Sequence, residues 1–463
     1  MMDSPDKKVI VSRKLGSVTA TSIVIANMIG TGIFTTTGLM AEHLPGSGWI
    51  ILCWLLGGLI AISGALCYME LSTRMPEEGG EYLYLKKIYH PVFGFLTGWT
   101  SLLVGFSAPI AASALSFSEY TFSGLNILPA SGNITDLIFY KKLTAIIMIV
   151  LFTLIHYRGV RIGAGAQNIL TSIKIIIVVG LAAMGLKFEP GFLTHLSFNS
   201  LNSNNAFMGV GVSMMLVMFS YSGWNASAYI AGELKNPRKA LPRSLIIGTL
   251  IVVVLYIFLN LFIVNTLEIG EMQGVIAVVQ LASVKSFGLW INDILTLLIG
   301  IALLSSLSAF ILIGPRVYYA MACDHLFFNF ASKVHPRHRV PGRSILIQGV
   351  IAVSMVLIGT FEQLIIYISF ALSIFTWLAV FGIFASRKRK IGETTAVHIP
   401  GYPFTPLFFL ISTLYLMIVT YIAQPFESTA AILTVICGIP FYFIWLKLMK
   451  IKSKLSVNVQ NDH

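Results

Sequence analysis

The chain has 463 residues, of which 56% are hydrophobic and only 11% are charged. Soluble domains usually carry about 25% charged residues, so this composition excludes a string of soluble domains and points to one polytopic membrane domain over residues 1–463. The net charge of +12 raises the idea of a nucleic-acid surface, but the basic residues alternate between loops and do not gather on one soluble face.

Hydropathy divides the chain into about 12 apolar runs of roughly 20 residues, the length that crosses a bilayer core. The N-terminus, Met1 to Lys14, is short and polar, and the run after it has no small-residue cleavage site, so no signal peptide is expected. Span 1 covers Leu15–Glu42 and is interrupted near Gly30, in Ile29-Gly30-Thr31-Gly32-Ile33-Phe34. Span 2 covers Gly48–Thr73, span 3 Val92–Phe122, span 4 Leu143–His156 and span 5 Ala166–Lys187. Span 6 covers Ala206–Glu233 and is interrupted near Gly223, in Phe219-Ser220-Tyr221-Ser222-Gly223-Trp224-Asn225. Span 7 covers Ser244–Thr266, span 8 Trp290–Cys323, span 9 Ile345–Thr360, span 10 Gln363–Ser386, span 11 Pro406–Ile422 and span 12 Thr429–Leu448.

Lys and Arg fill the loops on one side, from Lys7, Lys8, Arg13 and Lys14 through Arg74, Lys86 and Lys87 to the run Arg387-Lys388-Arg389-Lys390. The other loops hold only Lys141, Lys142, Lys187 and Lys285. The positive-inside bias therefore puts both termini in the cytoplasm and makes the chain a multi-pass plasma-membrane protein. The cysteines, Cys53, Cys67, Cys323 and Cys437, lie in spans or at a cytoplasmic span end. A structural disulfide is not expected there, and no pair has metal-ligand spacing, so neither a metal site nor a cofactor is expected.

Spans 1 and 6 each open a set of five. An odd number per set makes the second enter from the opposite side, which gives an all-α architecture: a 5+5 inverted repeat (15–187 and 206–386) with two additional helices (404–450) and spans 1 and 6 unwound at mid-membrane. The connection Met75-Pro76-Glu77-Glu78-Gly79-Gly80-Glu81-Tyr82, like the Pro-containing turns after spans 6 and 8, reads either as simple helix punctuation or as part of a gate.

The breaks are where chemistry is expected. Backbone groups freed inside a membrane must line a cavity or bind something. The downstream half of span 1 starts near Thr31, so the N–H groups of Thr31, Gly32 and Ile33 carry the positive end of a helix dipole and suit a carboxylate. The upstream halves end near Met28 and at Ser220 to Ser222, and their carbonyls suit an ammonium. Together they describe a receptor for an α-amino acid; the alternative is that both glycine motifs only permit close helix packing. Val104, Gly105, Ala108, Phe219, Ser222 and Asn225 are expected to shape its side-chain pocket, with Phe219 either a lid or ordinary packing. A valine at Gly32 is expected to block the carboxylate's approach.

Lys174 lies inside span 5, about two turns from its end. An ionisable residue at that depth is costly and marks function unless it snorkels to the interface. Read as functional, its ammonium replaces a sodium ion, pairing with span 1 carbonyls and with Ser305, Ser306 or Ser308 on span 8. No Asp or Glu sits mid-span, which favours a neutral substrate over a cationic one.

These residues bring out a resemblance. The chain is similar over nearly its whole length to the amino acid–polyamine–organocation superfamily, and within it to L-type amino acid transporters and their bacterial serine/threonine and alanine/serine/cysteine exchanger relatives. The likeness is carried by Ile29-Gly30-Thr31-Gly32-Ile33-Phe34, Gly79-Gly80-Glu81-Tyr82-Leu83-Tyr84, Phe219 to Asn225 running into Gly232-Glu233-Leu234-Lys235-Asn236-Pro237, Leu241-Pro242-Arg243, Pro315-Arg316, His335-Pro336 and Pro400-Gly401-Tyr402-Pro403. It implies a leucine-transporter-like fold and alternating access around a mid-membrane site, with the carboxylate role on Thr31 and Gly32, amino-group recognition on Met28, Phe219 and Ser222, and the sodium-mimicking role on Lys174.

Thr31 stands where relatives often have Ser, and Ser222 where many have Gly or Asp, which leaves the size of the substrate open. Mammalian light chains of the family bind a heavy subunit through a cysteine after span 3. Thr121–Lys142 contains none, so no disulfide-linked partner is expected. The expected substrate-binding set is Met28, Ile29, Gly30, Thr31, Gly32, Val104, Gly105, Phe219, Ser220, Ser222 and Asn225, with Lys174, Ser305 and Ser306 as the sodium-mimic or proton-coupling group. The expected activity is sodium-independent exchange of small neutral L-amino acids. The alternatives are proton symport and a cationic amino acid or polyamine carrier. A membrane enzyme would need clustered His, Cys or carboxylates at depth, and His156 and Lys174 are isolated in the sequence.

Overall fold

In the computed structural model, span 1 is two helices, α1 (Ser17–Met28) and α2 (Gly32–His43). They part because Ile29 turns to extended backbone after α1 and two glycines, the poorest helix formers after proline, follow within three residues. The structure describes residues 15–77, 79–125, 127, 133–158, 160–184, 196–199, 204–323, 327, 341–392 and 396–461. The polar N-terminus, Lys187 and the His335-Pro336 turn lie outside them.

The remaining helices are α3 (Ser47–Arg74), α4 (Glu81–Ile88), α5 (Pro91–Thr100), α6 (Ala108–Gly124), α7 (Ile134–Tyr157), α8 (Val160–Met184), α9 (Asn204–Tyr221), α10 (Ala226–Tyr229), α11 (Pro237–Thr266), α12 (Ile269–Met272), α13 (Val278–Phe287), α14 (Asn292–Cys323), α15 (Gly342–Ile358), α16 (Phe361–Lys388), α17 (Phe404–Ala423) and α18 (Pro425–Asn461). Among the described residues there is no β-strand, and nine helical runs are long and apolar enough to cross a membrane. Expected spans 5, 6 and 9 fall among shorter apolar helices: Thr171–Ala183, Phe207–Tyr221 and Gly342–Ile358.

Two features depart from expectation. Span 3 is not one regular helix: α5 and α6 are joined by a π-helical turn, Ser101–Ser107. Pro109 explains it, because a proline cannot donate to the carbonyl four residues back, Gly105, and its ring crowds that group. A wider turn relieves both problems, and Ser107 Oγ donates to Leu102 O, five residues back, at 2.6 Å. Span 6 also stops short of the expected Glu233 as a helix. After Tyr221 there is only the single turn α10 and a 3₁₀ turn, Ala231–Glu233. The backbone there turns to pair with the start of span 1: Leu15 N–H donates to Glu233 O and Lys235 N–H to Leu15 O, both at 3.0 Å. Leu15 and Leu234 thus form a parallel bridge beside a small apolar cluster of Ala20, Ala231, Leu234, Ala240 and Leu241.

The two broken spans lie at the centre of the bundle. α1 packs on α11, α2 on α9, and α3 on both α9 and α11, while α14 packs on α6 and α8.

Candidate functional site

The two breaks meet. Gly223 has φ +97°, and a Cβ there would stand 2.9 Å from the carbonyl carbon and oxygen of Asn27 and 3.1 Å from Met28 N. The glycine is required twice over, by a backbone conformation that L-residues avoid and by the main chain of span 1 lying against it. Gly32 is equally constrained: an added Cβ would come within 2.3 Å of Ser220 Oγ and 2.7 Å of Ser220 Cα. A valine there therefore disturbs the α2–α9 crossing as well as any ligand. Gly30 is different. It is half-buried, and a Cβ on it would meet only Met28 O, at 3.8 Å.

The polar groups sort into used and open. The first backbone bond of α2 runs from Phe34 N–H to Thr31 O, 3.1 Å. The N–H groups of Thr31, Gly32 and Ile33 have no hydrogen-bond partner among the described residues, as a helix start without a cap requires. On the upstream side the carbonyls are engaged. Met28 O accepts from Tyr256 Oη at 2.6 Å, Ala26 O accepts from Lys174 Nζ at 3.0 Å, and Phe219 O accepts from Ser222 N–H at 2.9 Å. A ligand ammonium would have to use the second lone pair of these carbonyls or other oxygens. Tyr256 escaped the sequence reading because a lone tyrosine in an apolar span carries no periodic signal. It packs edge-on against Trp54, as does Tyr221, with ring centroids 5.5 Å apart in each case. Tyr256→Phe should leave Met28 O a buried, less satisfied acceptor, costing about 1–3 kcal/mol. A lowered melting temperature in detergent would register that cost.

Lys174 is 2% exposed. Besides Ala26 O it donates to Ser306 Oγ on α14 at 3.3 Å, so α1, α8 and α14 share one ammonium. Ser305 is buried on the same helix. Ser308 bonds His156 Nε2 instead, at 2.8 Å. Ser220 Oγ meets Thr36 Oγ1 at 2.8 Å, joining the two broken spans. Val104 and Gly105 lie in the π-helical turn, Val104 fully buried and Gly105 half-buried. Met28, Ile29, Thr31 and Phe219 are buried and Ser222 is half-buried.

Asn225 points elsewhere. Its amide donates to Glu81 Oε1 at 2.7 Å, which also accepts from Tyr68 Oη at 2.6 Å. Burial pushes the Glu81 carboxyl above its ordinary range, while the Tyr68 and Asn225 bonds pull it back. Beside it Gly79 N–H reaches Tyr229 O at 3.4 Å, so the connection after span 2 abuts the end of span 6. A second buried carboxylate, Glu70, is held by Arg74 at 2.8 Å, by Arg387, and by Ile399 N–H at 3.2 Å. Glu70 and Glu81 are therefore committed to partners in the protein, while the third buried acid, Glu427, lies in the first turn of α18.

The chain is 29% identical over 435 residues to the serine/threonine exchanger SteT of Bacillus subtilis, covering 93% of this chain and 96% of that protein. It is 27% identical to the human b(0,+)-type amino acid transporter 1, over 95% of this chain and 89% of the relative, and 26% identical to the mouse Asc-type amino acid transporter 1, over 95% and 82%. The relatives are transporters, and the amino acid permease family profile matches residues 15–442. With its apolar helices, this chain is a multi-pass membrane protein that belongs to the amino acid permease family.

Proposed function

We propose that this protein exchanges small neutral L-amino acids across the plasma membrane by alternating access, without sodium, with both termini in the cytoplasm. Residues 15–187 and 206–386 act as two inverted repeats around the breaks, and 404–450 are additional. The observation that carries this is the contact of Gly223 with the Asn27–Met28 backbone beside the open N–H groups of Thr31, Gly32 and Ile33. Those donors take the substrate carboxylate. The ammonium is taken at the upstream backbone near Met28, Ile29 and Phe219, with Gly30, Val104, Gly105, Ser220 and Ser222 bounding the pocket. Asn225 acts through Glu81, away from the substrate. The pairing of Glu70 and Glu81 supports a neutral substrate, because a cationic one needs a free buried anion at the site. Lys174 occupies the place a coupling ion would hold between α1 and α14.

The test uses protein in liposomes preloaded with unlabelled amino acid or with buffer, followed by radiolabelled alanine, serine and leucine uptake with and without a pH gradient. Uptake that needs internal amino acid supports exchange. Uptake into empty vesicles driven by an inward proton gradient replaces it with symport. Competition by arginine or putrescine but not by alanine removes the neutral substrate. Within the same assay, Gly30→Ala should raise the KM for alanine at least tenfold while the melting temperature stays near wild type, since the added Cβ meets only Met28 O, at 3.8 Å. An unchanged KM would remove Gly30 from the pocket wall.

A further inference from the structure

At the end of the bundle opposite the Leu15–Leu234 bridge, α2 ends and α16 begins, and three side chains converge there. His43 Nε2 lies 3.0 Å from Glu362 Oε1. Glu42, His43 and Glu362 each offer one ligand atom, and these atoms all lie within 4.8 Å of one another. We propose that the three side chains bind one divalent transition-metal ion of zinc-like chemistry.

The donor set selects that class. One imidazole nitrogen with two carboxylate oxygens suits zinc and its neighbours, whereas magnesium and calcium prefer oxygen alone. Donors around a tetrahedral zinc stand about 3.3 Å apart, so the present spacing closes with a small side-chain rotation. Two carboxylates beside one imidazole attract a cation, and among the described residues Glu42 has no hydrogen-bond or ion-pair partner.

The backbone holds the donors firmly. Glu362 sits in the first turn of α16, which is fixed by a reciprocal capping box between Thr360 and Gln363. Glu42 reaches toward Gly274, where a Cβ would stand 2.4 Å from its carboxylate oxygen. Gly274 is in turn tied to α2 by its N–H to Gly38 O, 3.1 Å. A cavity lined by Glu42, His43, Met208, Gly209, Val212, Ala423 and Gln424 opens on two of the three donors. It supplies an entry path and room for a water as the fourth ligand.

An ion there joins span 1 to span 10 across 319 residues of sequence. If the transport cycle proposed above separates α2 from α16, the bound ion holds that end shut and slows transport. This consequence rests on the proposed function; the ion site does not.

The experiment titrates zinc chloride alone into purified, chelator-treated protein in detergent by calorimetry, with melting temperature as a second readout. One ion per chain, with affinity at least tenfold weaker in His43→Ala and in Glu362→Gln and unchanged in Glu119→Gln, is the expected result. Glu362→His, which exchanges one zinc ligand for another, should retain binding and so separates ligation from fold. No saturable binding by wild type, or equal binding by His43→Ala and Glu362→Gln at wild-type melting temperatures, overturns the site. In liposomes, zinc outside should slow uptake by wild type and not by His43→Ala. Binding without slowing removes the latch and leaves the ion site standing, while absence of uptake in zinc-free buffer counts against the transport reading alone.

Discussion

Gly223→Ala should reduce amino acid uptake at least a hundredfold while Gly180→Ala leaves it unchanged. Both substitutions add one methyl group inside an apolar helical region. At Gly180 the methyl meets nothing within 4 Å, whereas at Gly223 it meets the carbonyl of Asn27 at 2.9 Å on a backbone with φ +97°. A non-glycine residue in such a conformation costs about 1–3 kcal/mol, and the contact is with main chain, which cannot rotate aside. The broken segment of span 6 must then move away from span 1, at the place where the two form one wall of the proposed site. Since about 1.4 kcal/mol is a tenfold change in rate, conformational strain and lost alignment together account for the expected loss. The comparison is made at equal amounts of correctly inserted protein. Wild-type uptake by Gly223→Ala would mean that the two breaks are not in contact in the working protein.

Lys174→Ala should slow transport tenfold to a hundredfold. The substitution removes the donor from Ala26 O just before the break and from Ser306 Oγ, and a hydrogen bond to a charged group contributes about 1.5–3 kcal/mol. Lys174→Arg should not restore the rate, because a planar guanidinium does not fit a site shaped for a compact ammonium. The diagnostic measurement is the pH profile of uptake in wild type and Lys174→Ala. Equal uptake at every pH would make the lysine a structural cross-link without a part in coupling. A slower variant with a flattened profile assigns proton traffic to it. A slower variant with an unchanged profile assigns it the fixed charge of an exchanger.

The sites of both breaks were readable because glycines inside apolar runs, Gly30 and Gly32 in span 1 and Gly223 among serines in span 6, are a local signal, and so was the depth of Lys174. What followed each break was not equally readable. The downstream half of span 1 is a true helix of three turns, but that of span 6 dissolves after Tyr229, because its backbone partners are Leu15 atoms more than two hundred positions away. The π-helical turn could have been found from one spacing, Pro109 four residues after Gly105. The commitment of Met28 O to Tyr256 and of Asn225 to Glu81 could not, since both depend on which helices are neighbours. The same holds for His43 and Glu362. Each looks like an ordinary polar residue at a span end, and only the fold brings them together.

The two ends of the bundle are fastened by different materials. Near the N-terminus one fastening is a pair of backbone hydrogen bonds around Leu15, alongside the Glu70–Arg387 ion pair, while at the other end one is an imidazole and a carboxylate. Peptide groups carry no net charge and do not titrate, so the first fastening is indifferent to salt, acidity and dissolved ions. The second is built from metal-ligating side chains that a dissolved ion can engage. The bridge at Leu15 thus keeps its strength whatever the surrounding solution holds, and of the two fastenings only the His43–Glu362 contact can exchange a protein partner for an ion.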